Sequence, residues 1–458
     1  MVSITCYGGI DEIGGNKFCI EDKKTKIFLD FGESFGHLDD YFVEWLQPRN
    51  RFGLRDHFAL DLMPKLKGLY NSWAVESTDL EYCEPEYHGV FITHAHYDHI
   101  AHLRYIDQSI PVYIGETARN IINSVTETGK VVYFREKGQP TRNGDVIPPN
   151  IVRSFRTGKR IKVDDMEVEP VHVDHSVPGS YGFIVHTSEG SIVYTGDIRK
   201  HGNKPELTQD FIDKARESKP KILLMEGTRV EPEEKRKDHT EEEVYSESMG
   251  IVKKNSRLIL AMRYPRDLDR FRTFYEVARS TGKTLVIGLR TAHLLMSLQQ
   301  DRALALPDPI KDPNIEIYKR EMKLYNDWEK PLLEKCVDFD WVKSHQRDMI
   351  WELDFFHLTE LIDIQPQAGV CIHSVSEPFE EDPMSQLQDE VLRNWLDRFS
   401  IAHHQLHASG HASMDEIFGM VNEIRPAEVV PVHTKHAGLF SKTGKKIRFA
   451  KKGEAFGF

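Results

Sequence analysis

Residues 89–100 read Gly-Val-Phe-Ile-Thr-His-Ala-His-Tyr-Asp-His-Ile. The apolar and β-branched residues at its start predict a buried strand, and the ligand-type side chains that follow lie in the loop where that strand ends. His94 and His96 point the same way from an extended segment, whereas Asp98 and His99 lie beyond the turn and can face a second cation. A buried carboxylate among imidazoles is costly without a partner, so this stretch predicts a centre for two metal ions.

Length, composition and charge limit the class of protein. A chain of 458 residues is long enough for two or three domains, or for one domain inserted in another. Hydrophobic content of 40% and charged content of 29% predict a globular protein without membrane segments, and the N-terminal strand-like start predicts a cytoplasmic one. The five widely spaced cysteines are expected to be reduced.

The net charge of −12 argues against a nonspecific basic coat for nucleic acid. It does not exclude a nuclease, because two divalent cations would place positive charge in the cleft. The basic segment 442–448 also offers a local patch of positive charge.

An apolar strand that ends at a polar side chain recurs farther along the chain. His175 is the candidate third imidazole ligand of the first ion, and Asp197 can bridge two ions because its carboxylate has two oxygens. Asp30 either supports the metal site from behind or caps a turn. Three further histidines are interpreted as surface or supporting residues: His102, His172 and His201.

The second half of the chain alternates strands and helices in the manner of a parallel α/β unit. Strands are predicted at 257–262 and 284–289, and the pattern resumes at 369–374 after a longer helix-rich passage. We therefore expect a separate α/β domain inserted in the first one. The predicted division is 1–230 for the first part of the metal domain, 231–404 for the insertion and 405–458 for the last part of the metal domain.

The glycine-rich turn at 8–15, the cluster at 94–99 and the later His175 and Asp197 resemble the metallo-β-lactamase fold, an αββα sandwich of two sheets with helices outside. The resemblance implies that His94, His96 and His175 hold one zinc ion. It implies that Asp98 and His99 hold the other, and that Asp197 bridges the two.

Three downstream features resemble the extra motifs of the β-CASP nucleases: Glu226 at the end of a buried strand, the Ser409-Gly410-His411 step, and His433 after the apolar run 429–432. With the inserted Rossmann-like α/β domain, they make the chain resemble ribonuclease J of bacteria and archaea over nearly its whole length. Glu226 departs from the aspartate frequent in ribonuclease J, and the segment 37–86 is longer than the usual connection. These departures leave the oligomeric state open, homodimer included.

The resemblance implies hydrolysis of phosphodiester bonds in single-stranded RNA, as a 5′-3′ exonuclease, an endonuclease or both, with two Zn²⁺ ions for which Mn²⁺ or Mg²⁺ can substitute. The predicted catalytic residues are His411, Glu226 and Asp98. His411 is the candidate general acid, kept protonated by the neighbouring Glu226, and His433 completes the second metal site. Four side chains are candidate phosphate contacts: Ser374, Ser376, His407 and Ser409.

Three alternatives compete with a ribonuclease. A small-molecule hydrolase of the same fold would not need the insertion, Glu226 or His411. A catalytically silent nucleic-acid-binding subunit would be expected to lack a metal ligand, and none of the seven is missing. A DNA-directed β-CASP nuclease typically lacks a histidine at the position of His433, so this residue favours RNA without excluding DNA.

Overall fold

Two facing β-sheets and a third, separate sheet form the protein. The structure is a computed structural model that describes residues 1–43, 45–129, 131–134, 149–233, 239–378 and 382–458. The first sheet has the order β20-β1-β2-β3-β4-β5-β6. Its strands are β1 (Val2–Gly8), β2 (Lys17–Asp22), β3 (Thr25–Leu29), β4 (Gly89–Ile92), β5 (Val112–Gly115), β6 (Val152–Phe155) and β20 (Ala455–Gly457).

The second sheet has the order β19-β11-β10-β9-β8-β7, in which β10, β11 and β19 run parallel. Its strands are β7 (Ile161–Val163), β8 (Met166–His172), β9 (Tyr181–Thr187), β10 (Gly190–Tyr194), β11 (Ile222–Glu226) and β19 (Glu428–Val432). The last strand returns from far downstream to lie beside β11, which closes the metal domain after the insertion.

The alternation of side chains along the strands decides which faces are buried together. In β4, Phe91 points into the core between the two sheets, while Val90 and Ile92 point to the helices outside the first sheet. In β11, Leu224 faces the same inter-sheet core and Leu223 packs on the outer helices of the second sheet. All these residues are fully buried, so the predicted αββα layering is confirmed.

Helices cover the outer faces of both sheets. Helix α5 packs on the first sheet, and α6 and α13 pack on the second. The helices before the insertion are α1 (Phe35–Asp39), α2 (Arg55–Ala59), α3 (Ser72–Val75), α4 (Tyr97–Ile100), α5 (Glu116–Thr128) and α6 (Pro205–Glu217). Those of the insertion and the closing part are α7 (Glu241–Lys254), α8 (Leu268–Ser280), α9 (Leu289–Leu298), α10 (Phe339–Ser344), α11 (Glu360–Ile364), α12 (Pro383–Arg398) and α13 (Met414–Ile424).

The third sheet is entirely parallel, as the alternation of strands and helices predicts, and has the order β15-β14-β13-β16-β12-β17-β18. Its last strand extends to Gln405, one residue beyond the predicted boundary. The strands are β12 (Leu258–Arg263), β13 (Thr284–Gly288), β14 (Ile315–Tyr318), β15 (Cys336–Val337), β16 (Met349–Glu352), β17 (Gly369–Ser374) and β18 (Ile401–Gln405).

The state of the cysteines agrees with the expectation from the sequence. The five cysteines are free thiols. Among the described residues, none of the helices has the length and apolar character needed to cross a membrane.

Phe91 joins the two sheets, because its ring meets that of Phe183 in β9 edge-on at 5.9 Å. Within its own sheet it stacks on Tyr113 of β5 at 4.4 Å. We expect Phe91→Ala to lower the free energy of unfolding by about 3–5 kcal/mol through the cavity it leaves. The matched control is Phe449→Ala, at a side chain that is 58% exposed. Urea unfolding followed by circular dichroism measures both, and equal midpoints would contradict the assignment of Phe91 to the inter-sheet core.

Candidate metal centre and active site

The structure brings all nine predicted metal-ligating and acid-base residues to one place. Within each of three groups, the potential ligand atoms lie within 4.8 Å of one another, and Asp197 belongs to all three groups. The groups are His94, His96, His175 and Asp197; Asp98, His99, Asp197 and His433; and Asp197, Glu226 and His411.

The first group converges on a point among three imidazole nitrogens. His96 Nδ1 lies 3.1 Å from His94 Nε2 and 3.1 Å from His175 Nε2. Asp197 Oδ2 lies 3.3 Å from His94 Nε2. Burial lowers the pKa of His94 to about 3 and the pKa of His96 and His175 well below the usual value. These imidazoles are therefore neutral at neutral pH, with nitrogen lone pairs free for a cation.

The second group pairs two imidazoles with two carboxylates. Asp98 Oδ2 lies 2.8 Å from His433 Nε2 and 3.3 Å from His99 Nε2. Burial lowers the pKa of His433, but the carboxylates of Asp197 and Asp98 outweigh it and raise this pKa to about 9. The same carboxylates raise the pKa of His99 well above its usual value against the effect of burial. A bound cation would replace these protons as the positive charge that offsets the carboxylates.

Asp197 lies between the two groups and offers one oxygen to each. Its Oδ2 faces His94, while its Oδ1 lies 3.3 Å from His99 Nε2. Oδ1 is buried and makes no hydrogen bond within the described residues. A buried carboxylate oxygen without a donor, among imidazoles whose nitrogens point inward, fits divalent cations of the zinc class.

Strand ends from both facing sheets deliver these side chains to one end of the sandwich. His94, Asp197 and His433 each follow the carboxyl end of a strand, β4, β10 and β19 respectively. Gly32 allows the segment that carries Asp98 to approach closely, since a Cβ at position 32 would lie 1.7 Å from the carbonyl oxygen of Asp98. The loop after β3 therefore packs directly against the metal-binding loop, which only glycine permits here.

The contacts of Asp30 favour a supporting position behind the candidate metal site over a role in capping a turn. Its carboxylate is fully buried and accepts hydrogen bonds from Thr93 N at 2.8 Å, His99 Nδ1 at 2.7 Å and Tyr194 Oη at 2.8 Å. By holding the proton on Nδ1 of His99, it turns Nε2 toward Asp98 and Asp197.

Several supporting contacts carry no sequence motif. Thr228 Oγ1 hydrogen-bonds with His433 Nδ1 at 2.7 Å, and the carbonyl of Gly410 accepts a hydrogen bond from His175 Nδ1. The Arg266 guanidinium donates to the carbonyl of Ala95, between the two metal-binding histidines of the opening motif. These partners come from distant parts of the chain, so only the folded structure reveals them.

His411 stands beside the metal centre and is paired with Glu226. Its Nδ1 lies 3.1 Å from both carboxylate oxygens of Glu226, and its Nε2 lies 3.8 Å from Asp197 Oδ2. Burial lowers the pKa of His411, but the carboxylates of Glu226 and Asp197 raise it by more. The net result is a raised pKa, so the imidazolium persists to higher pH than for a free histidine.

The four candidate phosphate contacts fall in different environments. His407, Ser376 and Ser409 line one cavity together with Arg229 and His239. Ser374 does not reach this cavity, because its side chain is fully buried and its hydroxyl donates to the carbonyl of Leu406.

We expect Asp30→Asn to weaken zinc binding by about 10–100-fold, because the amide no longer holds His99 with a charged acceptor. Asn tolerates the positive φ of 56° at this position. The control is Asp22→Asn, at a fully buried aspartate that ends β2 and accepts hydrogen bonds from Ser188. Competitive zinc titration measures both variants. An affinity of the Asp30 variant equal to that of the control would contradict the supporting role.

Two parts of the chain match known families. Residues 77–254 match the family described as Beta-lactamase superfamily domain. Residues 401–445 match the family described as Zn-dependent metallo-hydrolase RNA specificity domain. The first match covers the opening metal motif, and the second covers His411 and His433.

The chain is similar along nearly its whole length to proteins named ribonuclease J. It is 22% identical to that of Pyrococcus abyssi, over 98% of this chain and 94% of the relative. It is 23% identical to Ribonuclease J2 of Bacillus subtilis, over 100% of this chain and 75% of the relative.

A crystal structure of a protein of unknown function from Enterococcus faecalis shares the fold, with a TM-score of 0.78, 24% identity and 99% coverage of both chains. The two family matches and the similarity to proteins named ribonuclease J along nearly the entire chain support a β-CASP, ribonuclease J-like protein of the metallo-β-lactamase fold and a metal-dependent hydrolase.

Proposed function

We propose that this protein is a nuclease that hydrolyses phosphodiester bonds of single-stranded RNA. The observation that carries the proposal is the position of Asp197, shared by two groups of imidazoles and next to the His411–Glu226 pair. Relatives named ribonuclease J and the match to an RNA specificity domain support RNA as the substrate. A small-molecule hydrolase needs no such acid pair beside its metal centre.

Two zinc ions are the proposed cofactors, with Mn²⁺ or Mg²⁺ as substitutes. His94, His96 and His175 would hold one ion, Asp98, His99 and His433 the other, and Asp197 both. Such ions supply Lewis-acid activation of a water molecule and neutralise charge on a phosphodiester. The chain's own part is to fix the ligands, and a water-poor site makes their charges act more strongly.

His411 is the proposed general acid, which donates a proton to the leaving 3′ oxygen. Its side chain is 20% exposed, whereas that of Glu226 is 1% exposed. The imidazole therefore reaches the cleft while the carboxylate holds it from behind and favours its protonated form. Glu226 itself accepts hydrogen bonds from the backbone N–H groups of Ile198 at 2.9 Å and Thr228 at 3.1 Å, which fix its orientation.

The cavity beside His407 is the proposed contact for a substrate phosphate. Burial lowers the pKa of His407 to about 3, so this imidazole acts as a neutral hydrogen-bonding group and not as a cation. Ser376 and Ser409 add hydroxyl groups, and Arg229 adds charge. Ser374 acts only indirectly here, since the carbonyl of Ser374 accepts a hydrogen bond from His407 Nδ1 at 3.1 Å.

The inserted domain, 231–404, is proposed to close one side of the groove that holds the RNA. A buried network ties it to the metal domain: Glu241 of α7 accepts from Arg199 at 3.0 Å and from Arg270 at 3.0 Å. Arg199 also donates to the carbonyl of Ser409 at 3.0 Å. The network thus connects the insertion to the loop that carries His411.

Three expectations from the sequence stay predictions: exonuclease or endonuclease action, a homodimer, and cytoplasmic residence.

The substrate is tested with end-labelled single-stranded RNA and DNA that carry a 5′ hydroxyl, monophosphate or triphosphate. We expect the zinc-loaded protein to cleave RNA, a chelator to stop cleavage, and added Zn²⁺ or Mn²⁺ to restore it. The product sizes separate stepwise from internal cleavage. Cleavage that persists with chelator would contradict the metal-dependent mechanism, and cleavage of DNA alone would contradict RNA as the substrate.

The acid role is tested with His411→Ala. We expect turnover to fall by about 10²–10⁴-fold, as for loss of a general acid, while the metal content stays unchanged. His436→Ala, at an exposed histidine shortly after β19, is the matched control. Retained activity in the His411 variant would contradict the assignment.

Glu226→Gln tests the pairing through the pH profile. The pKa of His411 is raised by Glu226, so the protonated acid is present below this raised pKa and is lost as pH rises through it. Without the carboxylate the pKa falls, and we expect the alkaline decline of kcat to move to lower pH. A decline at the same pH as in the wild type would contradict the pairing.

A further inference from the structure

A second group of ligand-type side chains lies outside the metal centre described above. Glu33 follows β3, His57 is in α2, and His102 follows α4. Their potential ligand atoms lie within 4.8 Å of one another. The three residues are 7%, 4% and 3% exposed, respectively.

In the part of the chain that the structure describes, each of the two imidazoles keeps one nitrogen without a hydrogen-bond partner, and one carboxylate oxygen of Glu33 faces one of these nitrogens. The Nδ1 of His102 donates to the carbonyl of Gly32 at 2.9 Å, so its Nε2 carries the lone pair, 3.4 Å from Glu33 Oε1. The other oxygen of Glu33 accepts from the Tyr97 hydroxyl. Neither His102 Nε2 nor His57 Nδ1 makes a hydrogen bond within the described residues.

An ordinary buried ion pair does not account for this arrangement. Burial lowers the pKa of His57 to about 4 and also lowers the pKa of His102, so both imidazoles are neutral at neutral pH. Among the described residues, Glu33 forms no salt bridge with a lysine or an arginine. Unpaired polar atoms on buried side chains are costly, and native structures seldom keep several in one place.

We infer that Glu33, His57 and His102 form a binding site for a third divalent cation of the zinc class. Two imidazole nitrogens and one carboxylate oxygen are a usual ligand set for Zn²⁺. The backbone carbonyl that fixes Nδ1 of His102 is the usual partner of a metal-bound histidine. The site is separate from the centre around Asp197 and does not depend on the proposed function.

The site would fasten the long segment 37–86 to the rest of the metal domain. Of the three candidate ligands, His57 comes from this segment, Glu33 from the loop after β3 and His102 from the residues after α4. A cation held by all three residues would link three separate stretches of chain and limit the freedom of the segment. Tyr97, which donates to Glu33, directly precedes Asp98, so the site lies behind the loop that carries the second group of ligands.

The inference is tested by metal content. The wild type, His57→Phe and Glu33→Gln are loaded with Zn²⁺, dialysed extensively, and measured by inductively coupled plasma mass spectrometry. We expect both variants to hold one zinc ion fewer per chain than the wild type. Phenylalanine fills the volume of the imidazole, and glutamine keeps the shape of Glu33, so two independent changes address the same site. Circular dichroism and thermal melting show that each variant is folded.

The matched control is His172→Phe, since the ring of His172 stacks on Tyr181 at 4.9 Å and belongs to none of the ligand groups of the described residues. We expect this control to keep the zinc content of the wild type. Zinc content equal to the wild type in both test variants would overturn the inference. Loss of all zinc ions from either folded variant would also overturn it, because the third site would then not be separate.

Discussion

The buried carboxylate of Asp197 is the constraint on which the rest of the site depends. One oxygen faces the imidazoles of the opening motif, and the other faces His99, deep in the protein where water cannot solvate the charge. Such a carboxylate is stable only if positive charge or donors surround it. The fold meets this need by ending β4 of the first sheet and β10 and β19 of the second sheet at the same end of the sandwich, each followed by a side chain of the site.

The same constraint explains why the acid pair lies where it does. His411 approaches Asp197 from the loop before α13, and Glu226 at the end of β11 holds it there. Arg199 follows shortly after Asp197 in the chain and joins this loop to the inserted domain through Glu241. Removing one partner from such a buried ion network is costly. The network therefore couples the position of the inserted domain to the position of His411.

The candidate ligands could be picked out from the sequence because they follow recognisable apolar strands. His94 and Asp197 are local features of this kind, and so are the layers of the sandwich, which follow from the alternation of side chains. The role of Asp30 could not be decided, because the contacts with Tyr194 and His99 join residues far apart in the chain. Ser374 is a candidate phosphate contact by sequence, yet its side chain is fully buried in the folded chain. His57 lies in a segment without any motif, so its proximity to Glu33 and His102 appears only in the folded chain.

We propose that the carboxylate of Asp197 is shared by two metal ions. Anomalous diffraction from a crystal of the zinc-loaded protein, measured at the zinc absorption edge, tests it most directly. The account predicts two peaks beside Asp197, one among His94, His96 and His175, and the other among Asp98, His99 and His433. A single peak beside Asp197, or two peaks of which only one contacts its carboxylate, would contradict the account.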